Sequence, residues 1–289
     1  MSSLEHHRVR ANGVKMHYVE AGEGPCVVLL HGFPETWYAW RHQMGPLAAH
    51  YRVIAPDLRG YGATEKPSTG YDKRTMANDV RDLLRVLGIE KVAIVGHDRG
   101  ARVGTRFVKD HPDVTTCFAA LDNIPTKVIF ENMNAEVAQA AWFFLFQGVR
   151  DLPEALIQGR EELWLRSILT NWTYNPQALS EEVISVYTKA YSQPGGLRGA
   201  FEDYRAWRED LSQDQADAIK TFGSCPVLSL WGADYDAAKM VDMEAIWRAM
   251  APELQTLAIA QSGHLPHEEQ PDQVTKALLK FLGEFHTGK

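Results

Sequence analysis

Residues Lys91–Arg102, KVAIVGHDRGAR, constrain the fold more than any other part of the sequence. Val92, Ala93, Ile94 and Val95 form an unbroken apolar run, the mark of a strand buried on both faces of a parallel sheet. Gly96 and Gly100 bracket His97, Asp98 and Arg99, and Ala101–Val108 reads as a helix. A strand that turns sharply between glycines and passes at once into a helix presents one side chain at its apex, here Asp98. A carboxylate so placed attacks an sp3 carbon, displaces a leaving group and forms an alkyl ester of the protein. Asp98 could instead cap the following helix. The small residues on both sides favour the nucleophile, because they let the turn be tight and leave the side chain free.

The chain has 289 residues, 45% of them hydrophobic, enough for one large α/β domain or a core with an insertion. Its net charge is −7, and no run of lysine or arginine is long enough to form a nucleic-acid surface. An anionic substrate therefore needs locally concentrated positive charge. Cys26, Cys117 and Cys225 are widely spaced in apolar runs without metal-ligand spacing, as expected for buried packing in a reducing compartment. The first residues, MSSLEHHRVRANG, lack the apolar core of a signal peptide. The most apolar stretch, Val137–Val149, is too short to span a membrane and carries Gln139 and Gln147. The expectation is a soluble, cytoplasmic protein that engages neither nucleic acid nor membrane.

Val14–Glu20 alternates as a strand, and Val27–Leu30 is a fully apolar strand ending in His31-Gly32-Phe33-Pro34. With the elbow, HGFP takes the oxyanion-loop position of the alpha/beta-hydrolase fold, where the backbone N–H groups of Phe33 and Arg99 would hold a developing oxyanion. Glu35–Leu47 reads as a helix, Tyr51–Ala55 as a strand, and PDLRGYG at Pro56–Gly62 as a structural turn. Met76, Val80, Leu83, Leu84 and Leu87 recur at helical spacing, and Cys117–Leu121 is another buried strand ending at Asp122. From about Ile124 to Ala218 the pattern is helical and rich in aromatics. Strands return at Pro226–Leu230 and Leu254–Ile259, with helices near Met240–Met250 and Asp272–Phe285. Together these predict an α/β fold: a mostly parallel, doubly wound sheet in two core portions, 1–123 and 219–289, with a helical cap inserted at 124–218.

An alkyl ester on Asp98 needs a base to activate water. His264, in Gln261-Ser262-Gly263-His264 just after the last strand, stands where the order nucleophile–acid–histidine places it. Its orienting acid is Asp122, or else Asp234 or Asp236 in WGADYDAA; Asp122 ranks first. The common spacing from the WG turn falls on Tyr235, between those two aspartates. Arg99 follows the nucleophile and Arg102 lies one helical turn on, so two guanidinium forks could clamp a small carboxylate and keep Asp98 ionised.

Taken together, HGFPETWYAWR, PDLRGYG, GHDRGAR, LDNIPT and QSGHLPHEEQP resemble the haloacetate (fluoroacetate) dehalogenases of the alpha/beta-hydrolase superfamily over nearly the whole chain. The resemblance implies Asp98 as nucleophile, His264 as base, Asp122 as its acid, and Arg99 and Arg102 as the carboxylate-binding pair. It also implies that Trp142 and Tyr204 hold the departing halide. The residue before Trp142 is Ala141, where the family has histidine, so chloro- or bromoacetate should be preferred over fluoroacetate. No metal or organic cofactor is required, the substrate is a small anion, and relatives of this kind imply a homodimer. An epoxide hydrolase of the same fold is the first alternative, with Tyr174, Tyr187, Tyr191 or Tyr204 protonating the epoxide oxygen; Arg99 speaks against it. A non-catalytic carboxylate-binding protein is the second, and the intact set Asp98, His264 and Asp122 speaks against that.

Overall fold

The structure, a computed structural model, describes residues 4–217 and 220–286. Eight strands form one sheet in the order β1-β2-β4-β3-β5-β6-β7-β8. β1 (Glu5–Ala11) and β2 (Val14–Ala21) are an antiparallel hairpin joined by Asn12-Gly13, both at positive φ, the residue pair that suits a two-residue turn. β2 runs antiparallel to β4 (Arg52–Pro56). From there every pairing is parallel, through β3 (Cys26–Leu30), β5 (Val92–His97), β6 (Thr115–Leu121), β7 (Val227–Gly232) and β8 (Leu254–Ile259). β1 lies at the edge with most of its side chains exposed or half-buried, so its sequence shows no buried face.

The core helices of the first portion are α1 (Arg41–Ala48), α2 (Lys73–Val86) and α3 (Asp98–Asp110). Between β6 and β7 the chain is helical: α4 (Thr126–Glu131), α5 (Ala135–Ala140), α6 (Trp142–Gly148) and α7 (Leu152–Ile157) come first. Then follow α8 (Glu161–Trp172), α9 (Glu181–Tyr191), α10 (Gly196–Arg205) and α11 (Trp207–Ala216). After β7 come α12 (Asp236–Lys239), α13 (Met243–Arg248), α14 (Pro266–Glu269) and α15 (Pro271–Phe285). The expected boundaries at residues 1, 218, 219 and 289 lie outside the described residues; the one between 123 and 124 falls between β6 and α4. No helix among the described residues is long and apolar enough to cross a membrane.

Strand alternation sorts the core into two layers. Val28, Leu30 and Ile94 pack with Met76, Val80 and Leu83 of α2 and Val103 and Phe107 of α3. Val27, Leu29 and Val95 face the other way, onto Trp40, Met44 and Leu47 and onto Leu278 and Phe281 of α15. Each such fully buried side chain contributes about 1.5–3 kcal/mol relative to exposure. This packing fixes the carboxyl ends of β3, β5 and β6, and the residues beyond those ends form the site.

Candidate active site

Asp98 is the first residue of α3 and holds φ +43°, in the left-handed region that a non-glycine residue enters at a cost. Its neighbours show why the turn survives. A Cβ on Gly96 would lie 2.7 Å from the backbone of Ala101, and one on Gly100 would lie 2.3 Å from the Leu30 carbonyl oxygen. Only glycine lets α3 start this close to the ends of β3 and β5. The strained apex presents the Asp98 carboxylate to a cavity, and the side chain is largely buried.

Across that cavity His264 places Nε2 4.0 Å from Asp98 Oδ1. Its Nδ1 donates to Asp122 Oδ1 at 2.9 Å, and Asp122 Oδ2 accepts the Gly232 N–H at 2.8 Å. With a proton on Nδ1, Nε2 keeps its lone pair toward Asp98, as a base for water requires. The imidazole is held between aromatics: Tyr235 lies against it at 4.7 Å between centroids and Trp172 meets it edge-on at 4.9 Å. The Trp172 carbonyl accepts the His264 backbone N–H. Asp234 instead accepts the Gln261 N–H, and Asp236 begins α12 beside Lys239, so neither reaches the imidazole. Tyr235, at the common position for the acid, contributes a ring in its place.

The HGFP loop closes the other side. The Phe33 N–H donates to Asp98 Oδ2 at 3.1 Å, while the Phe33 ring is fully buried against Tyr204 and Tyr191. Below the loop Glu35 is fully buried, accepting from the Gly32 N–H and His97 Nδ1 with Oε2 and from His267 Nε2 with Oε1. His97 Nε2 donates to the His264 carbonyl at 2.8 Å. Both nitrogens of His97 thus face acceptors, and the ring is an imidazolium. Burial opposes that charge, but Glu35 outweighs burial and lifts the His97 pKa to about 9. Burial likewise opposes ionisation of Glu35, yet the two histidines hold its carboxyl well below the usual range. Glu35, His97 and His267 come within metal-ligating distance of one another, but an imidazolium has no lone pair for an ion.

The two arginines differ from the expected pair of free forks. Arg99 gives Nε and Nη2 to Asp203, at 3.0 and 2.5 Å, and stacks over the Tyr204 ring; only Nη1 has no partner. Asp203 also holds Lys73 and accepts the Tyr61 hydroxyl, so a buried ion network takes up most of Arg99. Arg102 is the freer group. It is buried with Nη1 on the Thr126 hydroxyl at 2.6 Å, its Nε lacks a partner, and it forms no ion pair among the described residues. Burial and the nearby Arg99 charge both lower its pKa.

The cavity, about 820 Å³ with its open mouth, is lined by Asp98, Arg99, Arg102, Asp122, His264, Tyr204 and Tyr235 at its inner end. Trp142 is not in its wall. α6 begins at Trp142 and turns Phe143 and Phe144 to the cavity, so the indole lies round the helix, 44% exposed and edge-on to Trp164. That corrects its expected place at the halide. Ala141, one residue earlier, does line the cavity. Tyr204 is buried and its phenol pKa rises, first through burial and then through Asp98, so it remains a protonated donor. Of the other tyrosines, Tyr174 is half-exposed, Tyr187 donates to Glu268, and Tyr191 is buried with an unpartnered hydroxyl outside the cavity wall.

The alpha/beta hydrolase fold family model matches residues 25–271, spanning β3 to β8, the elbow and His264. This chain belongs to that family. The hydrolase is 38% identical to the soluble epoxide hydrolase of Corynebacterium sp. (strain C12), over 97% of this chain and 98% of that one. It is 34% identical to the fluoroacetate dehalogenase of Burkholderia sp., over 99% and 96%. Among solved structures, the ligand-free epoxide hydrolase CorEH superposes with a TM-score of 0.92 at 37% identity, covering 98% of this chain and 99% of that one. Glu35, His267, Asp203 and Trp172 also belong to the hydrolase's site, and no sequence motif marks them. The acid of FEDYRAW, one residue before Tyr204, was the available signal for Asp203.

Proposed function

We propose that this hydrolase displaces halide from the α-carbon of a 2-haloacid and releases the 2-hydroxy acid. Arg102 carries the reading. A buried guanidinium without an ionic partner is costly, and an anionic substrate relieves that cost where a neutral one does not. Arg102, with Nη1 of Arg99, takes the substrate carboxylate. Asp98 Oδ1 attacks the α-carbon opposite the halogen; the new C–O bond forms as the carbon–halogen bond breaks, and halide leaves with the electron pair. The Tyr204 hydroxyl donates to it. Asp98 Oδ2, already on the Phe33 N–H, becomes the ester carbonyl oxygen. His264 Nε2 then takes a proton from water, the hydroxide attacks that carbonyl, and charge collects on the oxygen held by Phe33. Collapse frees the hydroxy acid and restores the carboxylate, with Asp122 steadying the imidazolium.

Halide release from bromoacetate and bromoacetamide tests the reading. The acid should react about 10- to 100-fold faster in kcat/KM, the worth of a charged hydrogen-bonded contact. Equal rates would remove the carboxylate from the reaction. Ala141 beside the site offers the halide no donor and Trp142 is turned away, so fluoroacetate should be the poorest haloacetate. Ala141→His should raise the fluoroacetate rate relative to chloroacetate; an unchanged ratio would place the limiting step elsewhere.

Epoxide hydrolysis is the second reading, favoured by the protonated Tyr204 hydroxyl and the apolar outer cavity. There Asp98 opens the ring and Tyr204 protonates the oxygen. An epoxide panel assayed beside the haloacids discriminates the two.

A further inference from the structure

The cavity extends outward beyond the reacting groups, and its lining changes along that direction. At the inner end stand Asp98, Arg102 and His264, all buried. Outward the wall turns apolar, with Ile124, Val128, Ile129, Val137 and Ala141, and the mouth lies beside exposed Ala140 and Met240. A lining of this kind suits a ligand with an apolar body and a few fixed polar contacts. A two-carbon acid would leave that wall uncovered, in contact with water.

We infer that the substrate is an amphipathic acid: a 2-haloalkanoate of about five to eight carbons, carboxylate inward on Arg102 and alkyl chain running outward over Ile129 and Val137. The inference rests on the haloacid reading above and adds the chain. Ala141 is the residue that makes it fit, since a large side chain there would narrow the passage between the inner end and the α4–α5 wall. Binding energy from the chain, remote from the reacting carbon, then holds that carbon against Asp98.

Bromide release is measured with 2-bromopropionate, 2-bromobutyrate, 2-bromohexanoate and 2-bromooctanoate, which share a secondary reacting carbon, and with bromoacetate as reference. Each methylene buried in the outer cavity raises kcat/KM by up to about fourfold, so hexanoate, with three more methylenes, should exceed propionate by up to about sixtyfold. Ile129→Asp, which puts a charge on the apolar wall, should cut the hexanoate-to-propionate ratio severalfold, a readout that general loss of folded enzyme would not move. A flat or falling series in an enzyme that still releases bromide from the short acids overturns the chain inference alone. Turnover of epoxides with no bromide from any acid overturns the haloacid reading and the chain inference with it.

Discussion

The two halves of the cavity wall are built by different means. On the core side, Asp98, Asp122 and the Phe33 N–H stand at the ends of adjacent parallel strands, with His264 on the loop beyond β8. There strand spacing and close glycine contacts leave little choice of direction. On the cap side the wall is made by short helices, where one residue of phase turns a side chain by about 100°. Ala141 lines the cavity and Trp142, the next residue, faces outward. A motif at a strand end thus specifies a position in space, whereas a motif in the short helices between β6 and β7 specifies it only when the helix phase is known.

The contrast can be broken at its joint, which is Asp203. This residue of α10 binds Lys73 of α2 and Arg99 of α3, all three buried. Asp203→Leu leaves buried Arg99 without its ion-pair partner and Lys73 with Asp210 alone, and should lower stability by about 3–5 kcal/mol, seen as a drop in the urea midpoint. A loss below about 1 kcal/mol would mean that Arg99 is free to serve substrate as the sequence implied.

The core side also carries a pH signature. His97 has its folded pKa raised to about 9, against about 6.5 unfolded. Its stabilisation is complete below about 6.5 and is lost as pH rises through about 9, on the order of 3 kcal/mol in all. Melting temperature should therefore fall between pH 7 and 10, and His97→Gln, less stable at neutral pH, should flatten that slope. An equally steep slope in the variant would show that other groups cause it.

The smallest effect is expected at Trp142. Trp142→Phe should change kcat by less than about twofold, because the indole packs on Trp164 away from the reaction. A hundredfold loss of halide release would return Trp142 to the halide site and redraw the cap wall.

The same contrast explains what could be read from the residues alone. The parallel sheet, the elbow and the catalytic candidates around it were legible because each lies in a short segment whose glycines and apolar run admit few conformations. β1 was not, since an exposed edge strand such as HHRVR shows no buried face, and Asn12-Gly13 was its only local sign. Asp203 was hidden for another reason: its partner Arg99 is 104 positions away, and no periodicity links them. Nor was the network of Glu35, His97 and His267 legible, because it gathers three distant segments beneath the elbow.

The central claim is an alkyl ester on Asp98 that His264 resolves. His264→Asn, incubated with bromoacetate and examined by intact-protein and peptide mass spectrometry, tests it most directly. The account predicts a single carboxymethyl adduct on the peptide containing Asp98, formed without further turnover and absent from Asp98→Asn/His264→Asn. A folded His264→Asn protein that stays unlabelled, or carries its label on another residue, would contradict it.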